Sequence, residues 1–295
     1  MKTRKRLIAL FLLPASLIYL IFFLVPTVWA FYYSLFDWSG FGQNMKFIGV
    51  GNYKELLHDP IFLLSLKNTL AILALGGIII FALAFVLTIL VNSGVKGKKF
   101  FRAMIFLPNV IATIALTTLW AFIYNPTFGL INSFFQLIGW KAGAAFTFTS
   151  NDHIFYAMLV ALIWIQVGFY VVLLMAGMDK IPAEYYEAAR IEGANQWQMF
   201  TGITIPLLWD VITVATVLYT IFALKVFEFP YAFSQILPPQ EIYTVGIYLY
   251  IEGFGKRVPI YRLGYATAIG VVLLLCVVVV VLLLRRFMRR EVIQY

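Results

Sequence analysis

The chain has 295 residues, of which 63% are hydrophobic and only 12% charged. That charged fraction is about half of the roughly 25% found in an average soluble domain, which excludes a water-soluble globular protein and calls for a membrane. The formal charge of +9 sits in clusters that abut apolar runs, so it reads as the cytoplasmic flanks of membrane spans rather than a nucleic-acid surface. A lone Cys276 inside a Val- and Leu-rich run excludes an intramolecular disulfide. His58 and His153 lie near segment ends without ligand-like spacing, which argues against a metal site.

The first span is expected over residues 7–33. Lys2, Arg4, Lys5 and Arg6 precede it, and no charge occurs between Arg6 and Asp37. A basic start before an apolar run also describes a secretory signal. This run is longer than the roughly 20 residues a bilayer requires, and no small-x-small cleavage site follows. It reads as an uncleaved helix kinked at Pro14 and Pro26. An external segment with a turn and a surface helix leads to the second span, 66–92. The short loop after it carries Lys96, Lys98, Lys99 and Arg102.

The third span, 101–124, contains Pro108, which opens the backbone ladder. Freed carbonyls are tolerated in a membrane where the helix is buried in protein or lines a cavity. An aromatic, nearly uncharged external loop, 125–153, precedes the fourth span, 154–178. The fifth span is expected over 206–229, with Lys225 and Glu228 one helical turn apart and able to pair. An external segment, 230–262, leads to the sixth span, 263–284, followed by Arg285, Arg286, Arg289 and Arg290. The basic loops place both termini in the cytoplasm.

Between the fourth and fifth spans lies EYYEAARIEGANQWQMFTGITIPLL, residues 184–208. Four of the 13 acidic residues fall between Asp179 and Glu192. Pro182 suits a first helical turn, and Glu184 and Glu187 near the N-terminus favour the helix dipole. Gly193 is suited to a left-handed cap. Asn195 with Gln198 three residues later predicts a capping box for a second helix, and Pro206 then opens the next apolar segment. An amphipathic connector on the bilayer surface is the simpler reading, but a helix made for anionic lipid should be basic.

The order Glu187-Ala188-Ala189, three residues, Gly193, nine residues, Ile203-x-x-Pro206 resembles the signature loop of bacterial binding-protein-dependent ABC importer permeases. Ile205 stands where that family more often has Leu. The likeness runs along nearly the whole chain and is similar to the carbohydrate type. It is carried by Asn52-Tyr53, Asp59-Pro60 and Asn68-Thr69, by Arg102, Leu107-Pro108, Trp120, Gly129 and Asn132, and by Gly264-Tyr265-Ala266. It looks most like the maltose and glycerol-3-phosphate permeases, on the MalF-like side of an unlike pair. Phe227-Glu228 and Pro238-Pro239 depart from the usual Phe-Asp and Gly-Gly-Pro.

The resemblance implies an all-α integral membrane protein with six transmembrane helices and a cytoplasmic two-helix docking (EAA) loop between helices 4 and 5. Residues 1–64 would form an N-terminal transmembrane helix and external segment, 65–285 the ABC importer type-1 transmembrane domain, and 286–295 a basic cytoplasmic tail. The chain would be a non-catalytic, multi-pass permease of the cytoplasmic (inner) membrane. It would move a sugar, an oligosaccharide by preference, by alternating access. Implied partners are a second related permease, two copies of a cytoplasmic ATPase that carries ATP and Mg, and an extracellular or periplasmic solute-binding protein. Glu184, Glu187, Ala188, Ala189, Glu192 and Gly193 would dock the ATPase.

No catalytic constellation and no GxxxxGK[ST] loop occurs in the sequence. Within the spans, Asn109, Trp120, Gln166, Tyr170 and Tyr219 are candidates to line a solute pathway. Uncharged hydrogen-bonding groups among aromatic faces suit hydroxyls and sugar C–H faces, although such side chains also glue helices together. A charged solute would call for charge at depth. An importer for glycerol-3-phosphate or a polyol is the alternative within the family. An ATPase-independent carrier or channel would normally hold mid-span carboxylates, whereas Asp210 and Glu228 lie near span ends.

Overall fold

The computed structural model describes residues 2–42, 44–92, 95–256, 258 and 260–289, with only the backbone for 2–9. The expectations for residues 290–295 of the tail, and for the side chains of Lys2, Arg4, Lys5 and Arg6, lie outside the described residues. The regular secondary structure of the described residues is helical apart from one two-residue antiparallel pairing, Phe36 with Phe47 and Asp37 with Lys46. Four helices are long and apolar enough to cross a bilayer: Leu10–Tyr33, Pro60–Asn92, Ile154–Met178 and Leu263–Met288. Two further pairs reach that length only across a bend, Lys98–Val110 with Thr113–Ile123 at 99° and Gln196–Leu207 with Trp209–Lys225 at 70°. The fourth span falls on the expected residues.

The third span is therefore not one straight helix. Pro108 lies in a 3-10 turn, Leu107–Val110, and the following Ile111 is extended at φ −83° and ψ 138°, which turns the chain away from its first direction. The fifth span also departs from expectation. Its helix begins at Gln196, runs through Pro206 and bends at Leu208. Pro206 comes two residues after a π-helical turn, Phe200–Thr204, and Pro26 comes two residues after another, Leu20–Leu24. A proline lacks the N–H and its ring collides with the carbonyl four residues back; one extra residue in the preceding turn relieves that collision. Pro14 lies inside the unbroken helix Lys2–Tyr19, so the first span departs from α geometry ahead of Pro26 alone.

The fifth span ends at Lys225, where Val226 becomes extended at φ −60° and ψ 123°. Glu228 opens a separate helix, Glu228–Phe233. The expected Lys225–Glu228 pair thus does not form, because the helix that would bring them together stops between them. Glu228 instead accepts from the Thr113 hydroxyl at 3.4 Å.

Two compact units divide the chain, 1–63 with 245–276, and 64–244 with 277–295. The second unit is built around the fourth span, 61% of whose most apolar window is buried, against 0% for the first span. Met158, Leu162, Val171 and Leu174 pack with Ile72, Ile80 and Ala84 of the second span. Gly168 is required by close approach: a Cβ there would run into the Ile105 carbonyl of the third span. A third π-helical turn, Ile72–Gly76, presents the Ile72 carbonyl to the Tyr219 hydroxyl at 2.5 Å. Gly76 and Gly77 leave the room that the Tyr219 ring fills. Asn68 Nδ2 donates to the carbonyls of Glu241 and Tyr243 at 2.8 and 3.0 Å, tying the start of the second span to the segment after the fifth.

The other unit is held by a carboxylate. Asp59 caps the helix that starts at Pro60, its Oδ1 accepting from the N–H of Ile61 and Phe62 at 2.9 and 3.2 Å. Its Oδ2 accepts from the hydroxyls of Tyr248 and of Tyr265, the latter at 2.6 Å. Burial pushes the Asp59 carboxyl up, but these four hydrogen bonds outweigh it and hold the group below its usual value. Beside it Arg262 forks onto Glu55 at 2.7 and 2.8 Å and reaches Glu252 at 3.3 Å. Burial raises the pKa of Glu252, opposed by that guanidinium.

Candidate functional site

Two regions of the second unit carry the candidate functional residues. One is the polar loop between the fourth and fifth spans. Pro182 is extended at φ −58° and ψ 138° and stands just before the helix Ala183–Ile191 rather than inside its first turn. Glu184 in the first turn and Arg190 in the last both complement the helix dipole. The helix ends in the predicted left-handed cap. Gly193 has φ +80°, and the N–H groups of Gly193 and Ala194 return to the carbonyls of Arg190 and Ala189 at 3.0 and 2.9 Å, the paired bonds of a Schellman cap. The capping box is present as well: Gln198 N donates to Asn195 Oδ1 at 2.9 Å, and Asn195 N to Gln198 Oε1 at 2.8 Å.

This short helix has two faces. Tyr186 turns inward, packs against the core and bonds the Thr204 hydroxyl at 2.9 Å. Glu184, Glu187, Ala188, Glu192 and Gly193 are exposed, and Ala189 is half-buried. The same outer surface shows Ile191 at 86% and Trp197 at 70% exposure, on either side of Gly193. Sequence reasoning misses both; the one signal it offers is an apolar residue off the stripe set by Tyr186. Among the described residues, a Cβ on Gly193 would meet nothing within 4 Å. Upstream, Asp179 is bonded by Lys98 at 2.8 Å and approached by Arg102 at 3.7 Å, which joins the basic loop after the second span to the root of the acidic one.

The second region is a cavity of about 530 Å³ at the break in the third span. Pro108, Asn109, Thr113, Gln166, Phe222, Lys225, Phe227, Glu228 and Phe229 contribute to its wall. Asn109 is oriented by donating Nδ2 to the Ile165 carbonyl at 2.8 Å, which leaves its amide oxygen for another donor. Of the five residues that the sequence suggests for a pathway, Asn109 and Gln166 lie on this wall. Trp120, Tyr170 and Tyr219 are buried in the helix core instead. Tyr170 and Tyr219 pack edge to face with ring centroids 5.8 Å apart, and Trp120 lies against Tyr124 and Trp164. Spacing alone would make Lys225 and Glu228 a helical pair; the interrupted helix instead puts both on the cavity wall. Among the described residues, no group of His, Cys, Asp and Glu could hold a metal ion.

Comparison with known proteins agrees with this arrangement. Residues 76–292 match the family described as "Binding-protein-dependent transport system inner membrane component". A probable ABC transporter permease protein of Pyrococcus horikoshii is 35% identical over 269 residues, covering 90% of each chain. The diacetylchitobiose uptake system permease protein of Streptomyces coelicolor is 30% identical over 267 residues, covering 87% of this chain and 74% of that one. In structure, the chain superposes with a TM-score of 0.82 on one from a bacterial alginate ABC transporter in complex with an alginate pentasaccharide-bound periplasmic protein. That match has 24% identity and covers 98% of this chain and 96% of the other. With its spans, broken helices and signature loop in place, the chain belongs to the inner-membrane components of binding-protein-dependent transport systems, as the non-catalytic, multi-pass permease subunit of an ABC importer.

Proposed function

We propose that this permease carries a sugar of two or more units across the cytoplasmic membrane by alternating access. Six spans, with the two bent pairs counted as one span each, leave both termini in the cytoplasm. The observation that supports the sugar reading is the cavity wall. Amide groups of Asn109 and Gln166 stand among the rings of Phe222, Phe227 and Phe229, a mixture suited to hydroxyls on one side and C–H faces on the other. The similarity to a diacetylchitobiose permease points the same way. Trp120, Tyr170 and Tyr219 then act by shaping the walls behind that cavity.

Energy comes from two copies of a partner ATPase, which bind ATP and Mg. Glu184, Glu187, Ala188, Ala189, Glu192 and Gly193 seat the loop in a groove of that ATPase, with Ile191 and Trp197 as apolar anchors. Acidic side chains pair with basic groups there, and the small ones let the surfaces approach. Closure of the ATPases on ATP moves the loop as a lever. The spans rock outward to receive solute from the binding protein, and hydrolysis resets them. A second, related permease completes the pathway.

Lys225 supports a second reading. It is exposed on the cavity wall, and an ammonium there suits an anionic solute such as glycerol-3-phosphate. The test is to isolate the importer from its native membrane with its binding protein, and to titrate that protein with neutral oligosaccharides and with phosphorylated polyols. Saturable binding of an oligosaccharide that also stimulates ATP hydrolysis supports the first reading. A response confined to phosphorylated solutes replaces it with the second. A chain that emerges with no ATPase would overturn both.

A further inference from the structure

We propose that the external hairpin formed by residues 130–144 is an interfacial foot, its apolar face immersed at the headgroup–acyl boundary of the membrane's outer leaflet. The inference rests on the external position of this loop and adds a lipid contact to it. The hairpin consists of the helices Leu130–Leu137 and Lys141–Ala144. It is locked from inside: Asn132 is buried and donates Nδ2 to the carbonyls of Ala144 and Phe146 at 2.8 and 3.0 Å. The ring of Phe135 packs edge-on to Trp140 at 4.6 Å. Gly143 provides the space, since a Cβ there would press on both rings.

The outward face is the opposite of what water selects. Leu130, Phe134, Leu137 and Ile138 recur at the spacing of one helical face, and all are exposed, Leu137 at 86%. Lys141, which opens the second helix after the turn at Gly139, is exposed too. Between residues 125 and 151 it is the single charge in the sequence. An apolar stripe with Trp140 at its edge and one lysine able to extend its ammonium outward is the composition of a membrane-interface segment.

Continuity with the membrane surface selects lipid as the occupant. Phe122, exposed on the second half of the third span, contacts the exposed Phe128 with ring centroids 6.1 Å apart, so apolar surface runs from the span onto the foot. Six residues separate the end of the helix Thr113–Ile123 from Leu130, and Asn125 folds that link tightly. Its Oδ1 accepts from Thr127 and Phe128 N–H at 2.9 and 3.2 Å, and its carbonyl from Gly129 N–H at 2.8 Å. A link this short and closed keeps the hairpin near the span end. A docking surface for a soluble binding protein would be expected to carry a rim of several polar and charged groups, whereas Lys141 is the single charge on this hairpin.

The test uses the whole importer in lipid nanodiscs. Cys276 is replaced by serine, and a nitroxide is attached through Leu137→Cys on the apolar face or Gln136→Cys off it. Collision with oxygen, which partitions into lipid, is compared with collision with a water-soluble nickel chelate. The expected result is a severalfold higher oxygen-to-nickel ratio at 137 than at 136, unchanged by the binding protein. Equal ratios would overturn the proposal. So would a nickel-accessible 137 that becomes protected only when the binding protein is added, which would reassign the face to that partner. If the 137 variant fails to assemble, Phe134→Cys gives the same readout.

Discussion

Asp59 shows how much one side chain can organise in a greasy protein. Its two oxygens take two backbone N–H groups and two tyrosine hydroxyls. Hydrogen bonds to a charged group contribute about 1.5–3 kcal/mol each, though here the carboxylate is only partly buried. Asp59→Ala is expected to lower stability by about 2–3 kcal/mol, read as an earlier unfolding midpoint in detergent. The pH dependence has a definite sign. A carboxylate whose folded pKa lies below its unfolded value stabilises the fold above the ordinary value of 3.8, and that stabilisation is lost as pH falls through the folded pKa. Between pH 5 and 8 wild type should therefore show no loss from this group, and the Asp59→Ala difference should shrink only in strong acid. Asp59 is visible in the sequence as part of Asp59-Pro60, but its two tyrosines are 189 and 206 residues away, and no local pattern reaches that far.

At the scale of the element, the departures from α geometry are the informative places. Two π turns precede a proline at the same interval, so the chemistry of Pro26 and Pro206 explains them. The third, Ile72–Gly76, has no proline and is explained by Tyr219, whose hydroxyl takes the Ile72 carbonyl. This gives Tyr219 a structural task distinct from touching solute. Tyr219→Phe is expected to cost about 1 kcal/mol through the lost hydrogen bond and to leave the solute KM in reconstituted vesicles unchanged. A raised KM at undiminished stability would return Tyr219 to the pathway. The caps of the polar loop are legible in the sequence, because Asn195, Gln198 and Gly193 act on their immediate neighbours. The break in the third span is half legible. Pro108 announces an interruption, but not the 99° change of direction that follows it.

At the scale of the molecule, the chain is one subunit of an ABC importer. No residue in the most apolar window of its first span is buried, and its signature loop turns outward Ile191, Trp197 and three glutamates that the described residues leave exposed. Gly193 tests what that loop is for. In the isolated chain, Gly193→Ala adds a Cβ that meets none of the described residues within 4 Å and costs about 1–2 kcal/mol, the strain of a left-handed backbone. Gly193→Asp should leave the permease in the membrane but release the ATPase from detergent-solubilised complexes and abolish solute-stimulated hydrolysis. Normal ATPase retention and transport in that variant would remove the loop from the docking role.

The sequence by itself determined the membrane class, the helical architecture, the fourth span and the capped two-helix loop. These follow from composition, from hydrophobic run length and from residues that act within one turn of themselves. Tertiary structure alone decided which polar residues face a cavity. Asn109 and Gln166 reach it while Trp120, Tyr170 and Tyr219 pack behind it, and the interrupted fifth helix delivers Lys225 and Glu228 to its wall. The reason is physical: in a chain apolar on nearly every face, periodicity does not mark an inside. Which face of a span is buried depends on where a neighbouring backbone approaches, as at Gly168, or a neighbouring ring, as at Gly76, and on the angle at which a helix breaks.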